Sequence, residues 1–80
     1  MKVKFYGRLA EAIGSELDFA AEPGCSVSEL RDRIAAAHPE SADHLCSAKA
    51  RTCVAGVMVR EDYRLGAGET AEFLPPLSGG

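Results

Sequence analysis

The sequence has no apolar run that approaches the roughly 18–20 residues needed to span a membrane. It also does not open with the basic segment and apolar stretch of a secretory signal peptide. The simplest expectation is therefore a cytoplasmic protein. Arginines and lysines are scattered along the chain, and the formal net charge is −3. The sequence thus gives little support for nucleic-acid binding or a membrane partner.

Residue patterns for metal binding and catalysis are also scarce. The cysteines Cys25, Cys46 and Cys53 are odd in number and match no C-x-x-C or zinc-ribbon spacing. We expect free thiols, with Cys53 a small core residue in a strand. His38 and His44 lack the i, i+4 spacing of a metal-binding helix. We therefore predict no metal site, and no acid–base pair or phosphate-binding glycine loop stands out.

The chain does carry the apolar patterns of one small folded domain. It has 80 residues, of which 46% are hydrophobic. Alternating apolar residues predict strands over residues 2–7, 16–20 and 70–74, and residues 51–59 predict two short strands about a turn at Ala55-Gly56. In the last strand, alternation places Ala71 and Phe73 in the core and Leu74 on the opposite face.

One helix is clearly predicted in the middle of the chain. Ser26 and Glu29 have the spacing of a capping box, and Pro39 ends the pattern. The apolar positions between them recur every three or four residues: Val27, Leu30, Ile34 and Ala37. We expect a helical turn or loop over residues 8–14, a loop with one helical turn over 40–50, and a polar loop anchored by Leu65 over 60–69.

The predicted order of elements is β-β-α-β-β-β, which favours an α+β domain with a mixed sheet covered on one face by one main helix. A β-grasp, ubiquitin-like fold satisfies this order, with the first and last strands as central, parallel neighbours. Tyr6 and Leu74 would then lie side by side on the uncovered face, with Met58 near them. Such an exposed apolar cluster is typical of a partner surface.

The last six residues are a pair of prolines followed by a thin tail of four residues. We divide the chain into a β-grasp domain, residues 1–76, and a flexible tail, residues 77–80. Prolines cannot extend the interior of a sheet, and the four residues after them reach about 13 Å when extended. We expect the chemistry of the chain to lie at the terminal carboxylate of Gly80, which would need activation, most simply as an acyl-adenylate. The last six residues read Pro75-Pro76-Leu77-Ser78-Gly79-Gly80.

The segment Phe73–Gly80 resembles the ending of molybdopterin synthase small subunits, the MoaD-type sulfur carriers of the ThiS/MoaD superfamily. The opening Val3–Glu11 with Gly14 resembles that family's first strand and turn, and Val27–Leu30 its helix start. Leu65 with Gly68-Glu69 resembles its last turn, so the similarity covers nearly the whole chain. One departure is Val54-Ala55-Gly56, where the family often has Val-Asn.

The resemblance implies a non-catalytic sulfur-donor subunit that binds no cofactor itself. A MoeB-type enzyme would adenylate Gly80 with ATP, and a sulfur donor would convert it to a thiocarboxylate. The tail would then enter a larger MoaE-type catalytic subunit, in a heterotetramer, and give sulfur to cyclic pyranopterin monophosphate. Gly79, Ser78 and Leu77 would thread the channel. The residues implied at the interface are Tyr6, Met58, Phe73, Leu74, Pro75 and Pro76.

Three other functions remain open from the sequence. The first is a ThiS-type carrier that supplies sulfur for thiazole or another thio-metabolite. The second is a ubiquitin-like modifier joined to lysines through its terminal carboxylate. The third is an interaction domain whose tail has no role. The Pro75-Pro76 pair favours the molybdopterin function over the thiazole function.

Overall fold

The structure is a computed structural model, and it describes residues 1–47 and 50–75. Its helices and strands follow the predicted order, with short helices added where turns or loops were expected. In chain order they are β1 (Lys2–Phe5), α1 (Arg8–Ile13), β2 (Glu16–Asp18), α2 (Val27–Ala37), a 3₁₀ turn (Pro39–Ser41), α3 (Ala42–Leu45), β3 (Arg51–Val54), β4 (Val57–Val59) and β5 (Ala71–Leu74).

The strands form one five-stranded mixed sheet in the order β2-β1-β5-β3-β4. β5 lies between β1 and β3, parallel to β1 and antiparallel to β3. β1 and β2 form one antiparallel pair, and β3 and β4 form another. The first and last strands are thus central, parallel neighbours, as the sequence predicted. This is the α+β, β-grasp architecture.

The core lies between one face of the sheet and α2. The sheet contributes alternating residues, and α2 contributes the positions spaced by three and four residues, as expected from the two periodicities. Leu9 of α1 and Leu65 of the loop before β5 are also fully buried in this core. The burial of Leu65 confirms it as the apolar anchor of its loop. The buried residues of the sheet and α2 are Val3, Phe5, Thr52, Val54, Ala71, Phe73, Val27, Leu30, Arg31 and Ile34.

The start of α2 is held by side-chain and backbone hydrogen bonds together. The Glu29 amide donates to Ser26 Oγ at 3.1 Å, and the Ser26 amide donates to Glu29 Oε1 at 3.0 Å, which confirms the capping box. The amides of Val27 and Ser28 donate to carbonyls of the following loop, those of Tyr63 and Glu61. The first amides of a helix have no partners within it. These contacts satisfy them and fasten the loop before β5 to α2.

Among the described residues, no helix is long and apolar enough to cross a membrane. The predicted boundary between domain and tail, at residues 76–77, lies outside the part of the chain that the structure describes.

Candidate functional site

Pro75, the last residue that the structure describes, lies at the end of the central strand and comes just before the predicted tail in the sequence. β5 has a neighbour on each side, and its ladder with β1 continues past the strand end, where the Tyr6 amide donates to the Phe73 carbonyl at 3.2 Å. Pro75 follows directly after β5. A chain that exits a central strand is held by two partners up to its last paired residue. The position from which the tail starts is therefore fixed by the sheet.

A close contact between Gly7 and Pro75 fixes this exit further. Gly7 has φ 58° and ψ −133°, a conformation that is open essentially only to glycine. A Cβ added to Gly7 would lie 2.9 Å from Cγ of Pro75. The glycine is thus required both by the backbone turn after β1 and by the proline ring that packs against it. We call Tyr6, Gly7, Leu74 and Pro75 the tail root.

Tyr6 and Leu74 lie beside each other on the sheet face that α2 leaves uncovered. The register pairs Phe5 with Phe73, so the next residues, Tyr6 and Leu74, are neighbours. Tyr6 is 42% exposed, and its hydroxyl donates to Glu72 Oε2 at 2.8 Å. That hydrogen bond raises the pKa of Tyr6 above its ordinary value of 10.0. The Tyr6 hydroxyl therefore stays protonated and donates its hydrogen bond to Glu72 of β5.

Met58 extends the uncovered face toward the edge of the sheet. It is 63% exposed and lies opposite Cys53, which in turn lies opposite Glu72. Met58 therefore belongs to the same face as Tyr6 and Leu74 but is two strands from β5. Val57 is also exposed, although it lies opposite the buried Val54. The sequence did not predict that exposure, which arises because β4 is an edge strand.

Phe73 does not lie on the surface with the other predicted interface residues. It is 2% exposed, and its ring stacks on Phe5 with centroids 5.9 Å apart. Alternation along β5 turns it toward α2. Phe73 is therefore the core residue that alternation predicted, and any part it has in the predicted interface is to support Leu74 from within the core. The predicted site residues Pro76, Leu77, Ser78, Gly79 and Gly80 lie outside the described residues.

The cysteines differ from the sequence expectation in their placement. Cys53 is half-buried on the uncovered face rather than a core residue, because Thr52 and Val54 take the inward positions of β3. Cys25 is the buried cysteine, and Cys46 is exposed. All three are free thiols. Within residues 1–47 and 50–75, no group of three or more His, Cys, Asp or Glu side chains is placed to hold a metal ion.

Arg31 is a polar core residue that sequence reasoning missed. It is only 9% exposed, and its guanidinium lies over the Phe73 ring, 5.9 Å from the centroid. Nη1 donates to both carboxylate oxygens of Glu61, and Nη2 donates to Thr52 Oγ1 at 3.2 Å. These partners come from β3 and from the loop after β4. The spacing of apolar residues in α2 does not indicate these partners.

The sequence model of the ThiS family matches residues 3–80. The chain belongs to the ThiS family. No curated protein matches the sequence. This ThiS-family chain is similar in structure to SAMP1 from Haloferax volcanii, with 23% identity, a TM-score of 0.75, and coverage of 99% of this chain and 97% of that chain.

Two further solved structures share the fold. A Pyrococcus furiosus protein assigned as molybdopterin converting factor, subunit 1, is 24% identical, with a TM-score of 0.78 and coverage of 95% of both chains. A chain in the complex of subunits 1 and 2 of molybdopterin-converting factor from Helicobacter pylori is 18% identical, with a TM-score of 0.62. The match covers 99% of this chain and 96% of that chain. The chain is therefore a ThiS-family protein with the ubiquitin-like β-grasp fold.

Proposed function

We propose that this protein is the sulfur-carrier small subunit of molybdopterin synthase, with Gly80 as the residue that carries the sulfur. The observation that supports this most is the tail root. A central strand, braced by Gly7 against Pro75, leads straight into Pro76-Leu77-Ser78-Gly79-Gly80. A carrier needs a fixed body and a thin, extendable end, and this order of residues supplies both.

The proposed cycle begins with activation of the Gly80 carboxylate by a MoeB-type enzyme. A carboxylate oxygen attacks the α-phosphorus of ATP, pyrophosphate leaves, and an acyl-adenylate remains. A sulfur donor then delivers hydrosulfide, HS⁻, whose sulfur attacks the carbonyl carbon. AMP leaves with the electron pair of the C–O bond, and the S–H proton is lost to solvent. The product is a terminal thiocarboxylate. ATP is bound by the activating partner, and this chain itself binds no cofactor.

Sulfur transfer then takes place in a larger, MoaE-type subunit, which supplies the catalytic side chains. The tail enters that subunit, with Ser78 and Gly79 in the narrow part of its channel, while Tyr6, Leu74 and Met58 dock on its surface. Two such transfers convert cyclic pyranopterin monophosphate to molybdopterin and return the carrier to its carboxylate. The expected assembly is a heterotetramer, and the complex of two subunits in Helicobacter pylori supports a partner of this kind.

A modifier function is the second candidate, and the structural likeness to SAMP1 favours it. It would use the same acyl-adenylate but a lysine amine as the acceptor, so that an isopeptide bond forms in place of the thiocarboxylate. A thiazole-pathway carrier would share the thiocarboxylate and differ only in the enzyme that receives it.

Intact-mass spectrometry tests the first step. After incubation with ATP, a MoeB-type enzyme and a sulfur donor, the protein should gain the mass difference between sulfur and oxygen, confined to the peptide that ends at Gly80. A variant without Gly80 should gain nothing. It should unfold at the same urea concentration as the wild type, because the described core ends at Phe73. An unchanged wild-type mass, with an enzyme proven active on another carrier, would overturn the proposal.

A second assay assigns the acceptor. The loaded protein and a MoaE-type subunit should convert cyclic pyranopterin monophosphate to molybdopterin, measured through its fluorescent oxidation product. Formation of lysine conjugates without this conversion would support the modifier function. Stable binding to a thiazole synthase in place of the MoaE-type subunit would support the thiazole function.

A further inference from the structure

The two edges of the sheet differ in how they are protected. β2 forms one edge and β4 forms the other, so each has a neighbouring strand on one side only. Edge strands of natural proteins commonly carry charges or prolines, which discourage pairing with another chain. β2 carries Glu16 and Asp18, whereas β4 consists of Val57, Met58 and Val59. The β4 edge therefore lacks the charges that protect the β2 edge.

The apolar side chains of β4 are accessible on both faces of the sheet. Val57 is 64% exposed on the face that α2 covers elsewhere, and Met58 is 63% exposed on the uncovered face. Val59 is only partly buried where it packs against the core. A strand with three apolar side chains and a free edge is a template on which a further strand can pair.

The hairpin geometry determines which backbone groups of β4 point outward. The turn between β3 and β4 has two residues, Ala55 and Gly56. In such a hairpin the pair that flanks the turn, here Val54 and Val57, exchanges both of its backbone hydrogen bonds. Bonded and non-bonded pairs alternate along an antiparallel ladder, so Met58 belongs to a non-bonded pair. The amide and the carbonyl of Met58 therefore point away from β3, toward the free edge.

A second copy of this chain fits the free edge in an antiparallel register centred on Met58. The outward amide and carbonyl of each Met58 would then bond to those of the other, about a two-fold axis. In this register Val57 of each copy lies opposite Val59 of the other. All three side chains of each β4 would therefore meet apolar side chains of the second copy.

Charge favours the same register. Arg60 directly follows β4 and is exposed. A register centred on Arg60 would place two arginines opposite each other, which is unfavourable. Centred on Met58, the pairing places Arg60 of each copy opposite Gly56 of the other, so like charges do not meet. A strand with charged side chains would instead have to bury them against the valines of β4, and a second copy does not.

We propose that β4 is a self-association edge, through which two copies of this chain pair about Met58 into one continuous sheet. The inference does not rest on the proposed sulfur-carrier function. The two copies of β5 would be five strand spacings apart, roughly 24 Å, and would run in opposite directions. The two tail roots would therefore lie at opposite ends of the dimer. Met58 belongs also to the proposed docking surface, so self-association and partner binding should compete at this residue.

The mass of the protein at increasing concentration tests the proposal. Three paired residues bury less area than a permanent dimer needs, so sedimentation equilibrium should give monomer at about 10 µM and dimer at about 1 mM. A reducing agent keeps the exposed Cys46 from cross-linking. Met58→Lys should stay monomeric at both concentrations, because two cations would lie opposite each other. Ala36→Lys adds the same charge to the exposed side of α2 and should dimerise like wild type.

Charge complementation tests whether residue 58 is its own partner. Met58→Glu alone should also stay monomeric at about 1 mM, because two carboxylates would then oppose each other. An equimolar mixture of Met58→Lys and Met58→Glu should dimerise again, since a lysine would then lie opposite a glutamate. Circular dichroism checks that both variants are folded, as the exposure of Met58 predicts.

Amide hydrogen exchange on the wild type tests the strand pairing without any substitution. Protection of the Met58 amide should rise at least about tenfold between the low and the high concentration, because this amide gains a partner only in the dimer. The amides of Val57 and Val59 already bond to β3 and should show no such change.

Three results would each overturn the inference: wild type that is monomeric at about 1 mM, a dimer that persists in Met58→Lys, and folded lysine and glutamate variants whose mixture stays monomeric. If the Met58 amide becomes protected only when a MoaE-type subunit is added, the edge takes a strand of that partner, and self-association is overturned as well. Sulfur loading of Gly80 is measured separately, so failure of the proposed function is distinguishable from failure of this inference.

Discussion

Gly7 is the residue at which the fold and the tail constrain each other most directly. Its φ of 58° with ψ −133° excludes other residues, and Pro75 occupies the space that a Cβ would need. We predict that Gly7→Ala destabilises the protein by about 1–3 kcal/mol. Urea unfolding monitored by circular dichroism measures this change.

Gly68→Ala provides the matched control for that prediction. Gly68 also has a positive φ, 83°, but a Cβ there would meet no atom within 4 Å. Gly68→Ala should therefore lose stability because of the positive φ, but not because of a steric clash. If the two variants lose equal stability, the contact between Gly7 and Pro75 does not constrain the tail root. A double variant, Gly7→Ala with Pro75→Ala, should recover part of the loss.

The turn of the β3–β4 hairpin holds an alanine in a backbone conformation that disfavours alanine. Ala55 and Gly56 form its two-residue turn, with φ values of 52° and 77°. Two positive values are what a tight hairpin turn requires, and Asn or Gly meets that requirement better than Ala. We predict that Ala55→Asn stabilises the protein by about 0.5–1 kcal/mol, measured by urea unfolding. Gly56→Ala, where a Cβ would meet no atom within 4 Å, should do the opposite.

The loop before β5 contains a pH-sensitive element. Glu69 accepts from the Gly66 amide at 2.7 Å and from the Tyr63 hydroxyl, and these hydrogen bonds lower the pKa of Glu69 below its ordinary value of 4.5. The unfolded chain therefore binds this proton more tightly than the folded protein. The stabilisation is fully present above pH 4.5 and is lost as the pH falls through the lower, folded pKa.

We therefore predict that Glu69→Ala reduces the loss of stability of the protein below pH 4.5, relative to wild type. Urea unfolding at a series of pH values from neutral to acid measures it, with exposed Glu11→Ala on α1 as the control. The slope of the free energy of unfolding against pH should differ most between the two variants just below pH 4.5. Equal pH profiles for the two variants would show that the Glu69 contacts do not persist in solution.

Local patterns predicted the elements of this fold better than they predicted its buried polar contacts. The capping box at Ser26 and Glu29 is complete within four consecutive residues, so the start of α2 could be predicted from the sequence. Arg31 could not, because its burial depends on partners in β3 and in the loop after β4. Cys53 was assigned to the wrong face because an apolar-rich strand can be placed in either register, and Thr52, paired with Arg31, took the inward position.

In the whole molecule, the central strand is followed in the sequence by the segment that we propose carries the sulfur. The end of this strand makes three kinds of contact: Phe73 packs in the core, Leu74 lies on the uncovered face and Pro75 packs against Gly7. The adjacency of Tyr6 and Leu74 could be predicted because strand alternation and a parallel β1–β5 pair determine it together. The cavity beside Arg31 could not, since its lining residues come from α2, β3, β4 and the loop after β4, and only the tertiary fold brings them together.

Leu74→Glu tests whether the uncovered face acts as one docking surface for the whole molecule. Leu74 is half-buried at the end of β5, so a charge there should change the free energy of unfolding by only about 1 kcal/mol. Binding to the MoaE-type subunit should weaken at least about tenfold, as expected for a residue at the centre of an interface, because the change removes an apolar contact and places a charge there. Ala36→Glu adds the same charge to the exposed side of α2 and should bind like wild type. Equal affinities for Leu74→Glu and Ala36→Glu, measured by calorimetry on folded proteins, would show that the uncovered face is not the docking surface.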